Sequence, residues 1–374
     1  MEYIFVSSWF FETETWGIMQ YRFDPNSGEM EYIRTLGEDK SCNVSWIDKE
    51  RNILYVLNEK QDLESMRVGG GGEILTYRLD PETGNVILLN VTPTFCSNPC
   101  YLSLDSTGKY LVVANHGTGA YVTQIKKEKD GKYHPVVLFD DSTVELFAVN
   151  EDGSVGELLD VVTHTGNGPG RRQTNAHPHS AVISPCGNFF AVCDKGNDSI
   201  CMYQIDRKLK KLVACQTQYT VPSGFMPRYC VFHPSKPFFY HNNEGSLSIC
   251  AYVWDKDGTL TPIGSYPSLV DKISDGSKGP SEQQGLCMDA TGTYIYDVLN
   301  GPNQVAVFQI DQEKGSLELI QNQAVKHAWP RGVALSPNGQ FLIVTCLKGK
   351  KVIVYRVKED GTIAPTGFEY DQPY

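Results

Sequence analysis

The chain has 374 residues, with 33 Lys and Arg against 44 Asp and Glu, a net charge of −11 and a pI near 5.2. Its basic residues are scattered, which argues against a nucleic-acid surface or a polybasic membrane face, so neither partner is expected. No apolar run reaches the ~20 residues that span a bilayer, and no basic region precedes the short apolar N-terminal stretch, so a soluble cytoplasmic protein is expected.

Internal repetition governs the reading in chain order. The template is an apolar run, a turn of the Ser-Pro-Asn-Gly type, a second apolar run, a polar tip, a run ending in Asp, and a Gly hairpin exit. The first copy (EYIFVSS…GIMQYRFDPNSGEMEYI) lacks its first run. Further copies lie at 43–90, 99–160, 179–217, 228–264, 285–321 and 331–365. The copy at 99–160 carries a charged insertion, Gly117 to Asp141, expected as a long surface hairpin between its second and third strands.

Each complete repeat offers four runs of about 5–8 residues, rich in Val, Ile, Tyr and Phe and bounded by Gly, Asp, Asn or Pro. Capped helix-period stretches are absent from the sequence. Four strands repeated seven times predict an all-β, seven-bladed β-propeller of four-stranded antiparallel blades, a single domain over 1–374. The first blade then needs an inner strand from elsewhere, and Gly367–Tyr374 is the unassigned candidate. The ring is therefore expected to close by pairing of the chain ends.

Many of the eleven cysteines sit inside apolar runs, where cysteine behaves as a small core residue, and reduced thiols fit the cytosol. Cys96 and Cys100 have no second pair at zinc spacing, so no metal is expected. The four glycines at 69–72 lack a strand-to-helix context and a Gly-Lys-Ser/Thr ending, and read as a hairpin loop rather than a phosphate loop. No Gly-x-Ser-x-Gly elbow is present, and no cofactor is implied.

In a propeller, the entrance to each inner strand and the exit from the second strand share one face. The entrances offer Asn43, Asn98-Pro99, His177 and His179, Pro227-Arg228, Gln284-Gly285 and Pro330-Arg331. The exits offer Asn58-Glu59, Asn115-His116, Asp194, Asn242-Asn243-Glu244, Leu299-Asn300 and Cys346-Leu347. Convergent polar groups at one channel mouth predict a small-molecule site. The stretch Arg172–Ser199 stands out, because its paired histidines occur in no other repeat. His179 opens one inner strand while Arg228 and Glu244 bracket the next blade. Asp194, followed by Lys195-Gly196, also reads as a turn anchor, and His164 as a support for the site.

Several stretches in this order resemble the seven-bladed propeller lactonases, which include propeller-type 6-phosphogluconolactonases and carboxy-muconate lactonising enzymes. They are NVSWIDKERNILYVLNE (43–59), DPETGNVILLN (80–90), NPCYLSLDSTGKYLVVAN (98–115), the RQ-x4-HPH cluster, MPRYCVFHP (226–234), NNE (242–244) and WPRGVALSPNG (329–339). The resemblance implies catalytic roles for His179, Arg228 and Glu244, and a small, negatively charged cyclic ester as substrate. Arg228 would hold the substrate's carboxylate or phosphate, His179 would activate water or move a proton at the ring oxygen, and Glu244 would orient His179 or act as its acid/base partner. His177, Arg172, Gln173, Arg331, Asn115 and Asp194 are the expected substrate-binding residues.

The sequence also departs from the family pattern. Gly285 stands where a Glu is frequent, Asn300 where an Arg is usual, Tyr229 replaces a common His, and His116 a common Tyr. The first functional reading is a cofactor-free, cytoplasmic 6-phosphogluconolactonase-like hydrolase, a monomer or weak homodimer. The alternatives are a muconate-type lactonising enzyme using the same trio, and a non-catalytic propeller that binds a metabolite or protein.

Overall fold

A computed structural model describes residues 2–8, 17–66, 68–219, 222–270 and 281–372. Every regular element among them is a β-strand. The strands group into seven antiparallel blades in chain order, six of them with four strands. In blade one three strands are described: Glu2–Ser7, Ile18–Phe23 and Met30–Leu36. The expected insertion is a separate two-stranded ribbon, Tyr121–Lys127 against Tyr133–Phe139, and it stands away from the body with mostly exposed side chains.

The physical logic is that of sheets buried on both faces. The second strands of blades two, four and five (Ile53–Asn58, Phe190–Asp194, Phe238–Asn243) are buried at every residue, which is why they read as continuous apolar runs rather than alternating ones. Adjacent blades share one apolar layer. Between blades four and five, for example, Phe189, Met202 and Ile200 pack with Phe239, Cys230 and Tyr252.

Ring closure differs from the sequence expectation. Ile363–Asp371 does not enter blade one; it pairs with Lys351–Val357 as the outermost strand of blade seven. That fourth strand runs past Gly367, so the tail is consumed where the repeat pattern seemed to have ended. The remainder of the proposed closing segment, residues 373–374, lies outside the described residues. The first and last blades meet instead through side chains. Val6, Met19, Tyr21, Phe23 and Met30 pack against Phe341, Ile343, Val352 and Val354. Phe23 and Phe341 meet edge to face at 5.8 Å, and the Met30 amide donates to the Tyr370 hydroxyl at 2.7 Å. Gly28 (φ 83°) lies flat on the Phe341 ring, where a Cβ would sit 2.4 Å from the ring edge.

Phe341 is fully buried at this seam. Phe341→Ala is therefore expected to cost about 3–5 kcal/mol, read as a lowered midpoint in urea unfolding. A change below about 1 kcal/mol would mean that the seam does not carry closure.

Candidate active site

The site is built by a defect repeated in every described inner strand. Where inner and second strands pair, the register slips immediately after the first paired residue in five of the six blades that have a described inner strand, and after the second, Gln283, in blade six. Pro178 faces Asp194 and Ser180 faces Cys193, leaving His179 unpaired. The same slip leaves out Cys100, Arg331, the pair Arg228-Tyr229, the pair Gln284-Gly285 and the pair Asn43-Val44. A β-bulge bends the strand and re-aims the side chain it excludes. Here the excluded positions include the polar residues of the channel mouth.

Two further devices fix the entry. Asn98, Met226 and Trp329 adopt φ values of 56°, 61° and 59°, each directly before the proline that opens an inner strand. Proline disfavours the right-handed helical region for its predecessor, and a left-handed Met or Trp costs on the order of 1–3 kcal/mol. Hydrogen bonds offset that strain: the Met226 amide donates to Asp198 Oδ1 (2.8 Å) and the Trp329 amide to Asn303 Oδ1 (3.0 Å). In blades two, three, four, five and seven the amide of the residue after the second strand then donates to a carbonyl at the entry, as Leu347 does to Trp329. Glu59 bonds Ser41, His116 bonds Asn98, Lys195 bonds His177 and Glu244 bonds Met226.

These ties bring together much of the expected site. Arg228 Nε donates to Glu244 Oε2 at 3.1 Å, both groups being buried. Lys195 Nζ bonds both Glu244 oxygens (3.3 and 3.1 Å), and Arg172 bridges Glu244 (2.9 Å) and Glu282. Arg331 Nη1 donates to Gln284 Oε1 at 3.2 Å. The Arg228 guanidinium lies over the Tyr229 ring at 4.4 Å, and Tyr229 meets His179 edge to face at 5.3 Å. His116 stacks on His177 (4.2 Å) and meets His179 edge to face (5.6 Å).

Some expected residues are elsewhere. Asp194 is fully buried beneath the mouth, where Oδ1 accepts the His177 and Gly196 amides (2.6 and 3.0 Å) and Oδ2 faces His164 Nδ1 (2.8 Å). His164 continues to the Tyr203 hydroxyl at 2.9 Å. Asp194 is thus the turn anchor and His164 its support; neither carboxylate oxygen is left for substrate. Asn115, also fully buried, donates to Thr143 Oγ1 inside blade three rather than at the channel. Gln173 braces its own loop, accepting from the Gly170 amide and donating to the Lys195 carbonyl. His177 is pinned by its Nδ1 to the His116 carbonyl (2.8 Å).

Electrostatics separate the members sharply. Although burial opposes ionisation, Lys195, Arg228 and Arg172 drive the Glu244 carboxyl down to about 2. It makes no hydrogen bond to His179, so the expected orienting role gives way to that of a fixed counter-ion for three cations. Burial first, then Arg228, Lys195 and His116, hold the His179 imidazole well below its ordinary range, hence neutral. Its Nδ1 and Arg228 Nη1 are buried without hydrogen-bond partners. Burial likewise lowers His116 and His177. Among the described residues, no group of three or more His, Cys, Asp or Glu side chains is arranged to hold a metal ion.

Sequence reasoning did not select Glu59, Lys195 or Glu282 as site residues. The first two were legible in principle: Glu59 follows Asn58 and Lys195 follows Asp194, just as Glu244 follows Asn243. The departure at Gly285 has a steric cause, because a Cβ there would lie 2.7 Å from the Arg331 carbonyl oxygen. Glu282 supplies a carboxylate nearby, with Asn300 Oδ1 accepting from its amide at 3.1 Å.

A family model described as lactonase, 7-bladed beta-propeller, matches residues 6–374. A 6-phosphogluconolactonase of Bacillus subtilis is 26% identical over 330 residues, covering 87% of this chain and 83% of its own. One of Formosa agariphila is 25% identical over 360 residues, covering 94% and 92%. Among solved structures, a periplasmic gluconolactonase of Pseudomonas aeruginosa superposes with a TM-score of 0.81 at 22% identity, over 98% of this chain and 95% of that one, which shows the common fold. No helix of the described residues is long and apolar enough to cross a membrane.

The Glu244 environment has a measurable consequence. A carboxyl lowered from 4.5 to about 2 adds stability that is fully present above pH 4.5 and is lost as pH falls toward 2. Glu244→Gln is expected to cost about 3 kcal/mol at pH 7, and the gap to wild type should narrow in urea titrations at pH 3. A gap independent of pH would contradict the ion-pair account.

Proposed function

The chain belongs to the lactonase family of seven-bladed β-propellers, and from that premise we propose that it hydrolyses a small anionic sugar-acid lactone, with 6-phosphogluconolactone as substrate. The observation that carries this reading is the pair of unpartnered buried groups at one mouth, Arg228 Nη1 and His179 Nδ1. An unsatisfied buried donor costs about 1–3 kcal/mol. A ligand carbonyl that accepts from the guanidinium offsets that cost, and it does so more strongly once the carbonyl has become a tetrahedral oxyanion.

Charge at the mouth fits an anion. Four cations (Arg172, Lys195, Arg228, Arg331) face three carboxylates (Glu59, Glu244, Glu282) in a chain whose net charge is −11. The excess cation and the planar forks of Arg172 and Arg331 suit a phosphate or carboxylate at one end of the substrate. The 6-phosphogluconolactonases of B. subtilis and F. agariphila, which this chain resembles along most of its length, favour the phosphorylated sugar lactone.

In this reading Arg228 and neutral His179 hold and polarise the lactone carbonyl, with Glu244 fixing the guanidinium. Protonating His179 beside Arg228 and Lys195 is electrostatically costly, so it serves as a neutral hydrogen-bonding group rather than as the water's proton acceptor. A phosphorylated substrate and eleven unpaired cysteines suit the cytoplasm.

A proton-release assay near pH 7 with 6-phosphogluconolactone, gluconolactone and an uncharged lactone tests the reading. The phosphorylated lactone should be opened with the highest kcat/KM. Arg228→Ala and His179→Ala should each lower kcat about 10²–10³-fold in protein that still unfolds cooperatively. Failure of wild type to open any of the three above the spontaneous rate would overturn it.

A further inference from the structure

Of the three carboxylates at the mouth, two are committed to structure. Glu244 is held by Arg228, Lys195 and Arg172. Glu282 is held by Arg172, Gln284 Nε2 and Asn300 Nδ2. Glu59 differs. It follows the second strand of blade two, in the place that Glu244 takes in blade five, and its amide is tied to the Ser41 carbonyl at 2.9 Å. Its Oε2 accepts from Asn43 Nδ2, a bulge residue of the same blade, while Oε1 accepts no hydrogen bond within the described residues.

The surroundings of Glu59 locate it. Arg331 of blade seven, Arg228 of blade five and Lys195 of blade four all act on its charge. Glu59 in turn acts on the Cys100 thiol of blade three, whose sulfur touches the His179 carbonyl oxygen at 3.8 Å. Lys60, next in the chain, turns away to Glu64. Glu59 thus leaves blade two at the mouth, held by the bulge residue Asn43, at the exit position from which Glu244 reaches Arg228 in blade five, and blades three, four, five and seven all supply groups that sense its charge.

We propose that Glu59 is the proton acceptor for lactone opening, a role that rests on the lactonase reading above. Water attacks the carbonyl carbon and passes one proton to Glu59 Oε1, while the carbonyl π electrons move to the oxygen held by Arg228. As the tetrahedral intermediate collapses, the bond from that carbon to the ring oxygen breaks. The ring oxygen leaves with the bonding pair and takes the proton back from Glu59, giving a hydroxy acid that ionises to solvent. Asn43 orients the carboxylate throughout. Burial raises the Glu59 pKa to about 7 against the pull of the three cations, so near neutral pH it is both substantially ionised and basic. Glu244, at about 2, is too weak a base for this task.

The test is kcat against pH from 5.5 to 8 with 6-phosphogluconolactone, the spontaneous rate subtracted, for wild type, Glu59→Gln and Glu59→Ala. Glutamine can still accept from Asn43, so folding should be preserved. Wild-type kcat should rise with pH through about 7 and level off, because the ionised form acts. Glu59→Gln should lose about 10²–10⁴-fold in kcat with KM changed only a few-fold, and should lose the rise; added formate should partly restore Glu59→Ala. An active wild type whose kcat is flat over this range, or a Glu59→Gln variant within a few-fold of wild type with the same profile, overturns this inference alone. A wild type inert to every lactone overturns the functional reading with it.

Discussion

The constraint on which the site depends is the bulge that opens each inner strand. Regular pairing would put alternate residues of that strand into the apolar layers between blades, where Arg or His could not remain unpaired at tolerable cost. Excluding one or two residues from the ladder releases them from that alternation. The bulge works because the chain is tied on both sides of it: the amide after the second strand bonds a carbonyl at the entry, and three entries are locked by a left-handed residue before proline. A repeat built for burial thus presents polar groups at one end, one blade after another, without disturbing the layers below.

The frame is shared while the charges are not, and that is how one scaffold gives carboxylates opposite properties. Glu59 and Glu244 occupy the same place in their repeats and both follow an asparagine. Glu244 meets three cations at bonding distance, so Coulomb attraction exceeds desolvation and it is charged at neutral pH. Glu59 meets an amide and feels its cations from across the ring, so desolvation exceeds attraction and it titrates near neutrality. Such divergence between equivalent groups is a mark of a working site.

The blade count, the order of strands and the channel face were legible in the sequence because they rest on periodicity and turn chemistry, which are local. So was the gathering of His179, Arg228 and Glu244 at one mouth, through their places at entrances and exits. Ring closure was not legible. A repeat pattern marks where an apolar run begins but not how far an outer strand extends, and blade seven used the residues assigned to blade one. The partners of Asn115 and Asp194, both expected as substrate contacts, were not legible for a related reason. Both end a second strand, and whether such a residue faces the channel or the neighbouring strand is decided by partners far along the chain, Thr143 and His164. The significance of Glu59 was hidden because its environment comes from blades 136 to 272 residues away, at Lys195, Arg228 and Arg331.

These separations also explain why so many polar groups can be buried around the mouth. Blades two, four, five, six and seven contribute polar groups from their bulges, and exits from second strands add Glu59, Lys195 and Glu244; closure of the ring brings them together before any ligand arrives. The costs of desolvation are met mostly within the cluster: Glu244 offsets Arg228, Lys195 and part of Arg172, and Gln284 supports Arg331. What the cluster leaves unmet is Arg228 Nη1, His179 Nδ1 and an excess of positive charge. A carbonyl oxygen and an anionic group joined in one small molecule would satisfy the guanidinium and the surplus charge together, and neutralising the cations would make His179 easier to protonate and Glu59 a stronger base.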